Sequence, residues 1–151
     1  MAVQYLIDTC VVSRYYPAGA RQLNPRLVAR VDAAIAESGL FISAVTVYEV
    51  ERGLKLLESR GEGRAKRRAW VKLLSAVSEL VGMDGATLAI WYQAADLHVQ
   101  ATLAGLVLGE ADLLILATAL AHRMVLLTAD AKLVANATRL GLGASVELVE
   151  G

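Results

Sequence analysis

Three short apolar runs, Tyr5-Leu6-Ile7, Leu40-Phe41-Ile42 and Val125-Leu126-Leu127, alternate with longer segments whose apolar residues recur at helical spacing. This alternation is the layout of a parallel sheet covered by helices on both faces. The fold class it predicts is α/β, with the sheet sandwiched between helices as α/β/α layers. At 151 residues the chain has the size of one domain, and a single domain over residues 1–151 is expected.

The other elements follow from caps and periodicity. Asn24 before Pro25 predicts an N-cap with proline at the first helical position, opening a helix that runs to about Glu37 and ends at Gly39. Val47, Val50, Leu54 and Leu57 are spaced by three and four, which predicts an amphipathic helix over 44–59. A turn at Gly61 and Gly63 leads to a second helix reaching about Ser78, and Asp84 is expected to cap a third that ends near Ala104. A glycine-bounded loop over 105–109 precedes a strongly apolar helix over 110–122. Beyond the third strand come a helix from Asp130 to about Thr138 and a last edge strand over 146–149.

Hydrophobic residues make up 56% of the chain against 20% charged, which excludes a disordered segment. So apolar a chain is expected to cover surface in a homodimer or against a partner. The longest charge-free stretch, between Asp96 and Glu110, is interrupted by Gly105 and Gly109 and is too short to cross a bilayer. The N-terminus has no secretory pattern, and the single cysteine, Cys10, suits a reducing compartment, so a cytoplasmic location is expected. Fifteen basic residues balance fifteen acidic ones, yet Arg52, Lys55, Arg60, Arg64, Lys66, Arg67, Arg68 and Lys72 fall within residues 51–72. There they meet only Glu51, Glu58 and Glu62, so the segment is either a phosphate-facing patch or a solvated helical hairpin.

Ligands of such sheets bind beyond the carboxyl ends of the strands. Asp8 and Asp130 lie just past two predicted strands, Glu49 in the first turns of the helix after the second strand, and Asp112 in the first turn of the helix before the third. The four acids are therefore predicted to converge. Carboxylates a few ångströms apart repel by about 4 kcal/mol per pair at an effective dielectric near 20, so a chain that gathers them must bind protons or a cation. Oxygen-only ligands favour a hard ion, magnesium or manganese, which activates water and stabilises charge on phosphorus during phosphodiester hydrolysis. Each acid also has an ordinary structural reading. Thr46-Val47-Tyr48-Glu49 matches a capping box, Glu110 and Asp112 suit a helix N-terminus, and Asp130 suits an N-cap. Asp8 is harder to place so, because an acid closing a buried strand is costly without a partner.

Four segments, taken together, resemble the PIN-domain nucleases, and among them the VapC-type toxins of bacterial toxin–antitoxin pairs. They are Tyr5-Leu6-Ile7-Asp8-Thr9, Ser43 through Gly53 around Glu49, Asp112 through Ala119, and Leu127-Thr128-Ala129-Asp130. The resemblance spans nearly the whole chain. It implies a magnesium-dependent endoribonuclease, often a homodimer, that cleaves RNA and is inhibited by a small antitoxin protein. By motif position Asp8 and Asp112 would be the principal metal ligands, Glu49 would complete the set or position water, and Asp130 would bind metal directly or through water. Thr9, Ser43 and Thr128 would orient these carboxylates. The chain departs from the pattern at Cys10, where the family usually has asparagine, and at Leu133, where phenylalanine is common.

Other acid- or thiol-based chemistries fit less well. A haloacid-dehalogenase-type phosphatase needs a second aspartate where Cys10 stands, and a receiver domain needs an acid pair that does not precede Asp8. A thiol phosphatase with Cys10 as nucleophile needs an arginine where Tyr16 stands, so Cys10 is expected to be a packed, inert thiol. His98 and His122 are too isolated for a zinc site. A housekeeping RNA-processing nuclease, a DNA nuclease and a non-catalytic module of the same fold that binds RNA or a partner are the alternatives.

Overall fold

The computed structural model describes residues 2–83 and 87–151. Strands β1 (Tyr5–Ile7), β2 (Phe41–Ser43), β3 (Glu79–Val81), β4 (Val125–Thr128) and β5 (Val146–Leu148) form one parallel sheet in the order β3-β2-β1-β4-β5. Consecutive strand residues point to opposite faces. Leu6, Phe41 and Leu126 pack in one core with Leu97, Leu116 and Leu133, while Ile7, Ile42 and Leu127 pack in a second with Val11, Val31, Leu54 and Trp70. The helices supplying those partners are α1 (Thr9–Tyr15), α2 (Ala20–Leu23), α3 (Pro25–Ser38), α4 (Ala44–Glu58), α5 (Arg64–Ser75), α6 (Thr87–Leu103), α7 (Glu110–Ala121) and α8 (Ala131–Arg139). The predicted α/β/α sandwich is present.

From β1 the chain builds to one side, through β2 to β3, then crosses to β4 on the other side of β1. The reversal puts the topological switch point between the carboxyl ends of β1 and β4, where open parallel sheets form their ligand crevice. Asp8 follows β1, and Asp130 lies just beyond β4.

Three features depart from the sequence expectations. The sheet has five strands rather than four, because the second helix of the basic segment stops at Ser75 and the chain re-enters the sheet as β3. Ser78 anchors that entry, its N–H donating to Leu40 O at 2.8 Å and its Oγ accepting from Leu40 N at 3.1 Å. β3 is an edge strand with Glu79 exposed and Val81 buried, so it lacks the continuous apolar run that marks the central strands. Residues 9–23, unassigned from sequence, form α1 and α2. Asn24 holds the N-cap position of α3 before Pro25, but its side chain makes no capping bond. The Asp84 cap lies outside the described residues.

The basic segment is clamped onto α4. Arg67 pairs with both Glu51 and Glu58, and the indole N–H of the fully buried Trp70 donates to Glu51 at 2.9 Å. Arg67 is therefore a structural cation rather than part of a free phosphate-facing patch. Gly53, inside α4, has no such packing role, because a Cβ there would meet no atom within 4 Å. A helix-interior glycine costs about 1 kcal/mol relative to alanine. Gly53→Ala is thus expected to raise the unfolding free energy by about 0.5–1 kcal/mol in urea titration; a loss of stability would reveal a contact that the open space around this residue excludes.

Candidate active site

Asp8 is the anchor of the site. Its N–H donates to Leu127 O at 2.9 Å, carrying the pairing of β1 with β4 one residue beyond the strand, and its carboxylate caps α1. It is 3% exposed. A carboxylate so buried needs donors, and it has them: Thr9 N–H to Oδ1 at 2.8 Å, the Thr128 hydroxyl to Oδ2 at 2.7 Å and the Cys10 thiol to Oδ2 at 3.4 Å. Burial nevertheless outweighs these bonds and pushes its pKa above the usual aspartate value, with the charge of Glu49 adding to the rise.

The structure reassigns Cys10. Its sulfur donates to Asp8 and accepts the Ala129 N–H at 3.3 Å, so the thiol joins the ends of β1 and β4 instead of merely filling space. Burial and the neighbouring Asp8 raise its pKa, which keeps it protonated as a donor at neutral pH.

Glu49 departs from its capping-box reading. The N-cap of α4 is Ser43, whose hydroxyl accepts from Val45 N at 3.1 Å, and Thr46 is already inside the helix. Glu49 is left free of the backbone amides and is held instead by Thr9, whose hydroxyl donates to Oε1 at 2.7 Å. Thr9 also lies 3.0 Å from the buried Thr46 hydroxyl, which fixes its rotamer. Thr9 and Thr128 thus orient two of the acids as expected, whereas Ser43 serves as a helix cap.

Asp112 sits in the first turn of α7, half-buried, behind Gly109 at the N-cap. Its pKa is pushed up to about 6, first by burial and then by the charges of Asp8, Asp130 and Glu49. All three other acids are therefore near enough for their charges to reach Asp112. Asp130 keeps its N-cap role, with Oδ1 accepting from Lys132 N at 2.9 Å and Leu133 N at 3.2 Å, while Oδ2 makes neither bond. Leu133 itself is buried in the core beneath α8. Two of the ordinary readings, the Asp130 cap and the acids in the first turn of α7, are therefore true and compatible with convergence.

Among the described residues no group of three or more histidine, cysteine, aspartate or glutamate side chains stands close enough together to hold a metal ion. The acids nonetheless raise the pKa of Asp112 together, so the cluster is electrostatically coupled without being closed. A cleft of about 200 Å³ lined by residues of α1, α4 and α5 includes both Glu49 and Lys66. A larger cavity of about 490 Å³, over α1 and α2, contains none of the four acids.

The PIN domain family model matches residues 5–138. A VapC ribonuclease, Y4jK, from Sinorhizobium fredii is 33% identical over 129 residues, covering 83% of this chain and 86% of that protein. The crystal structure of VapBC2 from Rickettsia felis, bound to a DNA fragment from their promoter, superposes with a TM-score of 0.73 at 16% identity. That match covers 98% of this chain and 100% of the other, and shows the same fold. FitAcB from Neisseria gonorrhoeae matches with a TM-score of 0.63 at 25% identity, over 89% of this chain and 94% of that one.

The raised carboxyl pKa of Asp112 carries a sign that can be tested. A folded pKa above the unfolded value means that the native state binds protons more tightly, so stability increases as pH falls through the folded pKa of about 6 toward the unfolded value. In a chelator, the melting temperature is expected to rise between pH 7.5 and 5.5, and Asp112→Asn, which removes the charge at constant shape, should raise it at pH 7.5 and blunt the pH dependence. A flat profile for the parent chain would contradict the clustered arrangement.

Proposed function

The chain belongs to the PIN-domain family, and from that premise we propose that it is a divalent-metal-dependent endoribonuclease acting as the toxin of a toxin–antitoxin pair. The observation that carries the catalytic reading is the grouping of Asp8 and Asp130 at the sheet's switch point with Asp112, whose pKa is raised to about 6, first by burial and then by the charges of Asp8, Asp130 and Glu49. Such a cluster is a poor place for charge unless a cation joins it. The likeness to the S. fredii ribonuclease supports RNA as the substrate.

The donor set fits a hard divalent ion, for every group in it is a carboxylate oxygen. Asp8 and Asp112 would hold the ion, which we take to be magnesium, with manganese an acceptable substitute. When bound, it supplies Lewis acidity to the phosphoryl oxygens and makes water a nucleophile at neutral pH. The protein's own work is orientation and proton handling. Asp8 is immobilised by Thr9, Cys10 and Thr128, so its direction is set before substrate arrives. Glu49, with Oε1 taken by Thr9, keeps Oε2 to accept a hydrogen bond from the attacking water. Asp130 offers Oδ2 in the same manner, its other oxygen being committed to α8.

The partners follow from the same reading. A small antitoxin protein is the regulator that the VapC resemblance implies. A homodimer is supported by the exposed apolar stripe on α6, where Leu88, Trp91, Tyr92, Val99 and Leu103 are each more than half exposed at spacings that share one helix face. No helix among the described residues is long and apolar enough to cross a membrane.

Asp8→Ala and Asp112→Ala are expected to reduce cleavage of RNA by the purified protein to below about a hundredth of the parent rate. Undiminished cleavage by either variant would refute the site. Millimolar magnesium or manganese should raise the melting temperature of the parent by binding the folded state alone, and Asp112→Ala should lose most of that shift. Equal shifts in the two proteins would remove Asp112 from the ligand set.

A further inference from the structure

Two neighbouring cations of α5 have different fates. Arg67 is saturated by Glu51 and Glu58, whereas Lys66 is exposed, pairs with no acid among the described residues, and lines the same cleft as Glu49. Its lining mixes Ser13 of α1 and Tyr16 just beyond that helix with Val50, Gly53, Leu54 and Leu57 of α4. Ser13 lies one helical turn beyond Thr9, and Gly53 one turn beyond Glu49, so two parallel helix faces carry the catalytic neighbourhood down toward Lys66. From Glu49 to Leu57 the rise of α4 is about 12 Å, room for backbone flanking the scissile bond.

Gly53 is the second, independent observation. Packing does not demand it, since a Cβ would meet no atom within 4 Å, and α4 is weaker for having it. A glycine that the fold does not need, at the wall of a cleft between an acid and a free lysine, leaves the helix backbone open to close approach.

We propose that this cleft is the path of the substrate strand, with Lys66 binding a phosphate of single-stranded RNA next to the one cleaved and Gly53 leaving space for the sugar-phosphate backbone. The inference rests on the nuclease reading and adds to it the direction in which the strand leaves the acids. A compact ammonium serves here as a point charge for phosphate, and the contact is independent of base identity.

The test is anisotropy titration of a fluorescein-labelled single-stranded RNA against the full chain in a chelator, across a range of salt, with cleavage measured in magnesium on the same preparations. Lys66→Ala is expected to weaken binding several-fold, to flatten the salt slope by about 0.7, and to raise KM while kcat stays close to the parent value. Gly53→Gln, whose Cβ meets no atom within 4 Å, should weaken binding while keeping or raising the melting temperature. Arg139→Ala, which removes one charge from the far end of α8, controls for net charge and should move the slope less. Parent-like affinity and slope for Lys66→Ala, or an equal flattening by Arg139→Ala, would overturn the proposal and turn the cleft over to a protein segment. If the parent chain itself cleaves no RNA with any divalent ion, the nuclease reading falls, while the metal-free titrations still decide whether RNA occupies the cleft.

Discussion

The structure depends on how one buried carboxylate is made tolerable. Asp8 ends β1, starts α1, pairs through its backbone with β4, and collects a main-chain amide, a hydroxyl and a thiol on its two oxygens. Remove those donors and the charge costs several kcal/mol in such a setting; supply them and it becomes a rigid strut between adjacent strands. Even so its pKa stays raised, so the solution is incomplete. The residual strain is electrostatic and is shared with Asp112, which feels Asp8, Asp130 and Glu49 together. The fold thus carries one buried carboxyl whose charge its own donors only partly offset, and a second whose pKa is raised by burial and by the other acids.

The sheet was legible because burial on both faces makes β1, β2 and β4 continuous apolar runs, and the four acids were legible because they sit where strands end or helices begin. What stayed hidden has physical reasons. β3 is half-exposed at an edge, with a polar residue at each entry position, and so looks like the end of a helix. α1 contains Val11 and Val12 in a helix of seven residues, too short for periodicity to show. The capping-box pattern at Thr46 and Glu49 misled because Ser43, three residues earlier, is the better cap, and the cap taken first sets the phase of everything after it. That displacement is what frees Glu49 for Thr9.

Cys10 and Arg67 teach a related lesson about single residues. A lone cysteine beside an acid looked inert, yet it donates to Asp8 and receives Ala129, substituting for the asparagine usual in the family by the same logic of one donor and one acceptor. The cluster of basic residues looked uniform, yet Arg67 is consumed by Glu51 and Glu58 to fasten α5 onto α4. Only three-dimensional pairing separates a cation that holds the protein together from one that is available to something else.

The strand order has a consequence in time as well as in space. Asp8 and the Thr128 hydroxyl that satisfies its buried oxygen stand 120 residues apart along the chain, and Asp130 lies farther still. Because β1 pairs with β4 across that separation, the central crevice closes only when contacts distant in sequence have formed. A chain that extends only through β2 or β3 thus lacks the hydroxyl donor that Asp8 needs. Topology itself ties the crevice to a chain that already holds both halves of the sheet.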